Sequence, residues 1–264
     1  MTLVPRLIRP LFAAVLSFGL AGAAAAETIR VGVTGGPHAQ IFEQVAALAR
    51  KEGIEVKVIE FDDYQIPNAA LAQGDLDLNS FQHQPFLDNQ VKDRGYRLVA
   101  IGKTVIFPIG LYSKRVKSLS ELKDGDKVAI PNDPTNGGRV LLLLQAQGLL
   151  KLRPEAGLKA SPFDVVDNPR QLKLVELPAA QLARSLDDVA LAAVNGNYAL
   201  EVGLNPHKDA IALESPESPY ANVIVVREAD KAKPQFLHLV KLYQSPEIRA
   251  FIQERFGASV VPAF

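Results

Sequence analysis

A regular alternation of short apolar strands and amphipathic helices constrains this chain more than any other feature. It begins with a strand pattern at residues 28–33, a turn containing Gly and Pro, and a helix pattern with Ile41 and Val45 on one face. A second strand pattern at residues 54–61 follows, which is the βαβ order of a mainly parallel sheet. The alternation continues to a helical C-terminus at residues 234–256. The pattern therefore predicts an α/β fold.

Further strands and helices follow the same order. We predict helices at residues 66–73, 85–94 and 179–186, and strands at residues 75–78, 127–130, 172–177, 189–194 and 221–227. Two extended segments, residues 107–113 and 219–226, are placed to carry the chain out of one α/β domain and back into it. Two such crossings make a hinge. We therefore predict two lobes, with residues 27–108 and 222–264 in the first and residues 109–221 in the second.

Residues 1–26 have the three parts of an export signal. Two arginines precede an apolar run at residues 11–20, and small residues lead up to Glu27. The run is shorter than a transmembrane helix needs, so we expect an exported, periplasmic chain that begins near Glu27. The segment LAG before Ala23 resembles the lipid-attachment motif of bacterial lipoproteins, with alanine where the acylated cysteine would stand. We therefore expect no lipid anchor at this position.

Composition excludes several classes of function. The chain has 29 lysines and arginines, 29 aspartates and glutamates, and no cysteine. A net charge of zero gives no electrostatic case for binding nucleic acid. The absence of cysteine excludes thiol catalysis, disulfides and cysteine-based metal sites. The histidines lack the spacing of a shared metal site, so we expect no metal and no cofactor; they are His38, His83, His207 and His238.

Residues 126–144 carry the strongest single signal for a ligand. They read as a short strand, a loop rich in Pro, Asn, Asp and Gly, and an apolar helix that opens near residues 137–139. Arg139 is thereby placed at a helix start, where the macrodipole and the unpaired amides favour anions. An anion held by the amides and the guanidinium together would explain the combination. The alternatives are a surface arginine beside a tight turn and a phosphate loop, whose lysine and Ser/Thr are missing.

Other polar and aromatic clusters follow strand ends, which is where α/β sheets bind ligands. Asp62 and Asp63 read as solvated turn residues or as an acid/base or metal pair, and Tyr64 beside them reads as a pocket wall. Residues 79–86, NSFQHQPF, read as a loop between a strand and a helix. Their two phenylalanines, histidine and asparagine favour a ligand wall over a purely structural turn.

Two interpretations stay open for the remaining polar residues. Asn195, Asn197 and Asn222 either orient an ammonium or carboxylate group, or occupy turns, where asparagine tolerates a left-handed backbone. Ser80 and His83 offer a nucleophile and a base in principle, but no orienting carboxylate or strained elbow motif accompanies them. A binding site is therefore favoured over a catalytic one.

Five longer motifs carry a resemblance to a known family. They are DYQIPNAAL, DLDLNSFQHQPFLDNQ, AIPNDPTNGGR, LDDVALAAVNGNYA and SPYANVIVVR, in this order. With them the chain resembles the methionine-binding lipoprotein family, the periplasmic receptors of methionine ABC importers. The resemblance implies a two-domain periplasmic binding protein, a type II-like clamshell with two hinge crossings that closes on one amino acid. It also implies an inner-membrane ABC permease and its ATPase as partners, a monomer, and no catalysis.

The resemblance further implies roles for seven residues. Arg139 would hold the α-carboxylate of the ligand, and Asn195 and Asn222 its other backbone groups. Phe86 stands where we expect a tyrosine, and Asn197 lies in a Gly-Asn pair where we expect two threonines, so Asn197 has no assigned role. Sulfur packs favourably against aromatic rings. The pocket for the thioether side chain would be lined by Tyr64, Phe81, His83 and Phe86.

Other ligands and functions remain as alternatives. A methionine-containing dipeptide or another small amino acid would use the same kind of site, and the missing hydroxyl at Phe86 bears on that choice. A metal receptor would draw on the histidines and carboxylates. A hydrolase would draw on Ser80 and His83 with Asp62 or Asp63.

Overall fold

The computed structural model describes residues 28–215 and 217–264. The predicted export signal at residues 1–26, including Ala23, lies outside the described residues. In the part of the chain that is described, no helix combines the length and the apolar character needed to cross a membrane.

The secondary structure alternates as the sequence pattern predicts. Strands β1 to β4 are Ile29–Thr34, Val56–Phe61, Leu78–His83 and Leu98–Lys103, and helices α1 to α3 are Pro37–Lys51, Pro67–Gln73 and Gln84–Arg94. Strands β5 to β12 are Val105–Ile106, Gly110–Tyr112, Lys127–Pro131, Lys151–Leu152, Val165–Asp167, Lys173–Leu177, Leu191–Val194 and Ala212–Leu213, and helices α4 to α6 are Pro134–Ala146, Gly196–Glu201 and Pro206–Asp209. The C-terminal elements are β13 (Asn222–Arg227), α7 (Pro234–Tyr243), α8 (Pro246–Phe256) and β14 (Val261–Pro262).

Two five-stranded sheets define two lobes. The strand order is β2-β1-β3-β13-β4 in the first lobe and β10-β7-β11-β6-β12 in the second. In each sheet one strand runs against the others: β13 is antiparallel to β3 and β4, and β6 is antiparallel to β11 and β12. The remaining pairs, β1 with β2 and β3, and β7 with β10 and β11, are parallel. The lobes therefore share one topology, and the predicted two-lobe α/β fold is confirmed.

The chain passes between the sheets twice. It leaves the first lobe after β5 and enters the second sheet at β6, so that residues 107–109 form the first crossing. It returns between Leu213 and Asn222, the second crossing. The strands that follow the crossings, β6 and β13, are the two reversed strands. Each sheet is therefore completed by a strand that arrives directly from the other lobe.

Strand β3 lies further along the chain than predicted. The prediction of a strand at residues 75–78 and a loop at residues 79–86 is wrong, because β3 is a fully buried strand that carries Asn79 and Gln82. Asn68 accepts from Asn79 Nδ2 at 2.9 Å and donates to Gln82 Oε1 at 2.7 Å. Buried amides are tolerated when they satisfy one another. An apolar pattern alone could not reveal this strand.

The start of α4 also differs from the prediction. Asp133 caps the helix, its carboxylate accepts the Asn136 N–H at 2.9 Å, and Pro134 occupies the first turn. An aspartate cap followed by proline is a strong start signal, and it outweighs the position of the apolar run. The predicted opening near residues 137–139 is therefore wrong, and Arg139 lies in the second turn.

The helix predicted at residues 179–186 is divided into two short 3-10 helices. These are Ala179–Gln181 and Arg184–Asp187. The Ser185 hydroxyl donates to the Leu182 carbonyl at 2.8 Å. Such a side-chain bond competes with the backbone ladder of an α-helix, which accounts for the difference.

The C-terminal helix predicted at residues 234–256 is two helices. Ser245 accepts from the Ile248 N–H at 3.3 Å and Pro246 opens α8. Proline cannot donate to the preceding turn, so α7 ends and a new helix begins there.

Each lobe has its own hydrophobic core, and a third cluster joins the two lobes. Phe42 lies in the core of the first lobe, and Leu141 and Leu144 of α4 lie in the core of the second. The joining cluster contains the buried side chains Tyr64, Phe81, Phe86, Tyr112, Leu182, Leu186 and Tyr198. Because these residues come from both lobes, the structure shows the lobes closed on one another.

Candidate ligand-binding site

A small cavity lies between the closed lobes. The seven residues predicted to bind the ligand all line it: Tyr64, Phe81, His83, Phe86, Arg139, Asn195 and Asn222. Six further residues complete the lining: His38, Gln82, Phe107, Asn136, Gly196 and Asn197. Residues scattered over most of the sequence are thus brought to one place.

Aromatic rings from the first lobe form one wall of the cavity. Tyr64 follows β2, Phe81 lies in β3, and Phe86 lies in the first turn of α3. The ring centroid of Tyr64 lies 6.1 Å from the centroid of Phe81 and 6.1 Å from that of Phe86, and the Phe81 and Phe86 centroids are 6.0 Å apart. Such tilted and edge-on contacts stabilise aromatic pairs. The wall is therefore a packed apolar surface suited to a hydrocarbon or thioether side chain.

Arg139 projects from the second lobe and is held by both crossings. Its Nε donates to Glu214 Oε1 at 2.8 Å, and its Nη2 donates to the other Glu214 oxygen and, at 2.9 Å, to the Phe107 carbonyl. The guanidinium lies 4.3 Å from the centroid of the Tyr220 ring. Glu214 and the Phe107 carbonyl thus occupy Nε and Nη2 of the buried guanidinium, and only Nη1 has no partner among the described residues.

This arrangement corrects the prediction that one anion shares the helix amides with Arg139. The Asp133 carboxylate already accepts from the Asn136 amide in the first turn of α4. Arg139 lies in the second turn and pairs with Glu214. An anion in the cavity would therefore bind the guanidinium without the helix start.

His83 is neutral and occupied on both ring nitrogens. Burial and the charge of Arg139 lower its pKa to about 3. Its Nδ1 accepts from the Phe86 N–H at 3.1 Å, which puts the proton on Nε2, and Nε2 lies 3.1 Å from Asn136 Oδ1. Ser80 Oγ is buried and has no hydrogen-bond partner among the described residues. The nucleophile and base pair that a hydrolase would need is not formed.

His38 is a cavity residue that the sequence reasoning missed. It follows β1 and its ring centroid lies 4.6 Å from that of Phe107 in the first crossing. Burial lowers its pKa to about 3, so it is neutral. The signal that could have found it is its position in the first turn of the helix that follows β1, since ligands of α/β sheets bind near strand ends.

Asn197 also lines the cavity, although no role was assigned to it. The Tyr64 hydroxyl donates to Asn197 Oδ1 at 2.5 Å, and burial raises the pKa of Tyr64 well above its usual range. Asn197 Nδ2 is buried and unpaired within the described part of the chain. A Cβ on Gly196 would come within 2.6 Å of the Pro108 carbonyl, so glycine is needed where α5 approaches the first crossing.

A second contact between the lobes involves Tyr198, for which no role was predicted. Its hydroxyl donates to the Asp62 carbonyl at 3.0 Å, and its ring centroid lies 4.9 Å from that of Tyr64. Together with the Tyr64 to Asn197 bond, this contact closes the cavity on the side of Asp62.

Asn222 begins β13, where the second crossing ends. Its Nδ2 donates to the Val105 carbonyl at 3.1 Å, which ties the start of β13 to β5.

The described residues contain no group of three or more His, Asp or Glu side chains placed to hold a metal ion.

Two lobes of the same topology, joined by two crossings and closed on a small cavity with one cationic anchor, define a two-lobe substrate-binding protein. More particularly, the chain belongs to the NlpA lipoprotein family, whose model matches residues 29–264. The resemblance found in the sequence motifs is thereby confirmed.

Relatives of known name and structure agree with this assignment. The D-methionine-binding lipoprotein MetQ of Escherichia coli K12 is 51% identical over 236 residues, which cover 88% of this chain and 87% of the relative. A nutrient-binding protein from Burkholderia cenocepacia, bound to methionine, is 55% identical with a TM-score of 0.87 and covers 89% of this chain and 100% of its own. An ABC transporter periplasmic substrate-binding protein from Coxiella burnetii is 47% identical with a TM-score of 0.86, with coverage of 89% and 100%.

Proposed function

We propose that this protein is an exported substrate-binding protein that captures methionine between its lobes and delivers it to an ABC importer, without chemistry on the ligand. The observation that carries the proposal is the cavity itself, which is lined both by the Arg139 guanidinium, whose Nη1 has no partner among the described residues, and by an aromatic wall. A guanidinium binds a carboxylate with charge-assisted hydrogen bonds, and aromatic rings contact a thioether favourably.

The site residues are proposed in the roles that the resemblance implies. Arg139 binds the α-carboxylate, and Asn195 and Asn222 bind the other backbone groups of the amino acid. The side-chain pocket is formed by Tyr64, Phe81, His83 and Phe86.

Hinge closure is the proposed mechanism. The first lobe consists of residues 27–108 and 222–264, and the second of residues 109–221. A ligand favours the closed form because only there do both lobes contact it. The bonds from Tyr64 to Asn197 and from Tyr198 to the Asp62 carbonyl would break on opening, since each joins the two lobes.

The proposed setting is the periplasm. The relatives in Escherichia coli and Coxiella burnetii are named as a lipoprotein and as an ABC transporter component, which supports an inner-membrane permease and its ATPase as partners. We propose that the protein acts as a monomer. Ala23 in place of the acylated cysteine would leave it free of a lipid at that position.

A thermal-shift panel on ligand-stripped protein tests the proposal. A ligand at a thousand times its Kd stabilises by about 4 kcal/mol, which raises Tm visibly. We expect L- or D-methionine to raise Tm well above any other amino acid, methionine dipeptides or zinc.

Each other outcome of the panel selects a different function. A shift with a dipeptide or another amino acid alone would move specificity away from methionine. A zinc shift abolished by chelator would indicate a metal receptor. Turnover of an ester or amide that is lost in Ser80→Ala would indicate a hydrolase.

A further inference from the structure

A chain of polar contacts runs from the cap of α4 to the cavity. It starts at the carboxylate of Asp133, which is 7% exposed. One oxygen accepts from the Asn136 N–H and the Thr135 hydroxyl, both at 2.9 Å, and the other accepts from Asn136 Nδ2 at 2.9 Å. A carboxylate can only accept hydrogen bonds. Asn136 must therefore turn its amide nitrogen toward Asp133 and its amide oxygen away.

The orientation of Asn136 fixes the next residue. Its Oδ1 lies 2.9 Å from Asn195 Nδ2 and 3.1 Å from His83 Nε2. His83 must donate here, because the Phe86 N–H already uses its Nδ1. Both ends of the chain, a carboxylate and a backbone N–H, thus require the same direction of hydrogen bonds. The orientation of the side-chain amides follows from this pattern alone.

Asn195 is left with one unsatisfied atom. Its Nδ2 is used by Asn136, and its Oδ1 is buried without a partner among the described residues. Asn195 is 5% exposed and lines the cavity. A buried acceptor without a partner is destabilising, so it favours a ligand that brings a donor. An α-ammonium group is such a donor, whereas a carboxylate is not.

We propose that Asp133 is a positioning residue that sets the direction of hydrogen bonds through Asn136, so that Asn195 presents an acceptor to the α-ammonium group of the ligand. The inference rests on the proposed function, since it assumes that an amino acid binds. Asp133 itself does not line the cavity. It acts through two amides whose donors and acceptors it places.

Asp133→Asn reverses this direction with little change in shape. Asparagine is as good a helix cap as aspartate, so its oxygen keeps the Asn136 N–H. Its NH₂ group then faces Asn136 Nδ2, and two donors oppose each other. Asn136 can relieve this only by turning, which sets its NH₂ group against the N–H of His83 and turns Asn195 as well. The cavity then presents a donor to the ammonium group.

The experiment compares two ligands that differ at one group: methionine and its 2-hydroxy analogue, 2-hydroxy-4-(methylthio)butanoate. A hydroxyl both donates and accepts, so the analogue tolerates either orientation of Asn195. We expect Asp133→Asn to weaken the binding of methionine by at least about tenfold and the binding of the analogue by less than about threefold. Kd values come from titration calorimetry, with displacement for the weaker ligand.

Thr135→Val is the matched control. It removes another hydrogen bond of Asp133 and leaves the carboxylate facing Asn136, so the ratio of the two Kd values should stay as in wild type. Asp133→Ser keeps a capping oxygen and removes the second acceptor, and it should shift the ratio in the same direction as Asp133→Asn. Circular dichroism and Tm without ligand confirm that each variant is folded.

Equal weakening of both ligands in Asp133→Asn, or no weakening of methionine, would overturn the proposal. A shift of the ratio in Thr135→Val as large as in Asp133→Asn would also overturn it, because the effect would then be structural. Failure of wild type to bind methionine would instead contradict the proposed function, so the two failures are distinguishable.

Discussion

The wall of the cavity that belongs to the first lobe carries mainly rings, whereas the wall that belongs to the second carries amides and a guanidinium. Gln82 and Asn222 are the polar exceptions in the first lobe. The first-lobe rings are those of His38, Tyr64, Phe81, His83 and Phe86; the second-lobe polar groups are those of Asn136, Arg139, Asn195 and Asn197. Two sheets of the same topology therefore present opposite chemistry to one cavity.

The two lobes therefore divide the recognition of a ligand between them. The polar wall has a cationic edge and an unpaired amide oxygen, which match the charged groups common to all amino acids. The aromatic wall matches an apolar side chain, which differs from one amino acid to another. Under the proposed function, changes in the second lobe should weaken all amino acids, and changes in the first should alter the preference among them.

The largest expected effect comes from removing the cation of the polar wall. Arg139→Ala should weaken methionine and every other amino acid that binds by about 10- to 150-fold, because a hydrogen bond to a charged group contributes about 1.5–3 kcal/mol. It also leaves the Glu214 carboxylate, whose side chain is 12% exposed, without its ion-pair partner. Calorimetric titration measures the affinity and urea unfolding the stability.

Two further variants separate binding from stability at this position. Arg139→Ala with Glu214→Gln should recover stability but not affinity, because the stranded carboxylate is neutralised. Arg153→Ala removes another ion pair of the second lobe, that with Asp164, away from the cavity. It should leave affinity unchanged. Unchanged affinity in Arg139→Ala would show that the polar wall does not hold the carboxylate.

The second effect concerns pH, to which the aromatic wall is sensitive through His83. Its folded pKa is about 3 against the usual 6.5, so between these values the unfolded chain binds a proton that the folded chain does not. Stability therefore falls as pH decreases from 6.5 toward 3, and His83 contributes up to about 1.4 kcal/mol per pH unit to this fall. His83→Gln should lose about 2 kcal/mol less than wild type between pH 6.5 and pH 5.

Urea unfolding at several pH values measures this difference. Phe42→Leu is the control, since it changes a buried ring of the first lobe that carries no titratable group and contacts Tyr243. It should keep the pH dependence of wild type. The idea fails if His83→Gln and wild type lose stability in parallel as pH falls.

A smaller effect is expected from thinning the aromatic wall. Phe81→Leu keeps an apolar side chain but removes the ring, and it should weaken methionine about five- to tenfold while alanine changes by less than about twofold. Phe42→Leu removes a ring from the first-lobe core that contacts Tyr243, not the cavity. It should lower Tm without changing selectivity. Equal losses for the two amino acids in Phe81→Leu would contradict the division between the walls.

The smallest effect concerns a contact that joins the lobes without touching the polar groups. Tyr198→Phe removes the hydrogen bond to the Asp62 carbonyl, which contributes about 0.5–1.5 kcal/mol to the closed form. Methionine affinity should fall about two- to tenfold, chiefly through faster dissociation. Tyr112→Phe removes a buried hydroxyl that has no partner within the described residues, and it should not change dissociation. Identical methionine dissociation rates in the two variants would show that the Tyr198 hydroxyl does not stabilise the closed form.

Much of the fold could be predicted because strands and helices alternate with clear apolar periods. The position of β3 could not be predicted, because the strand carries the polar residues Asn79 and Gln82. The side-chain amides of both residues form hydrogen bonds with Asn68. That partner is revealed only by the tertiary structure. The start of α4 could have been found from Asp133 and Pro134, whose capping signal is local.

The cavity was predictable to the extent that its residues follow strand ends. Tyr64 and Arg139 lie in segments whose composition differs from an ordinary turn. Glu214 was not predictable as the partner of Arg139, because the two residues are 75 positions apart and only the second crossing brings them together. Asn197 was given no role because the departure from the expected threonines concealed its contact with Tyr64.

The position of the reversed strand β13 affects how the first lobe is completed during synthesis and export. It lies between β3 and β4, so the sheet of the first lobe lacks its fourth strand until residues 222–227 are available. A chain that emerges from its N-terminus, from a ribosome or across a membrane, cannot finish its first lobe until most of the second has followed. During synthesis or export, the N-terminal residues of the first lobe therefore cannot reach their final sheet before β13 has emerged.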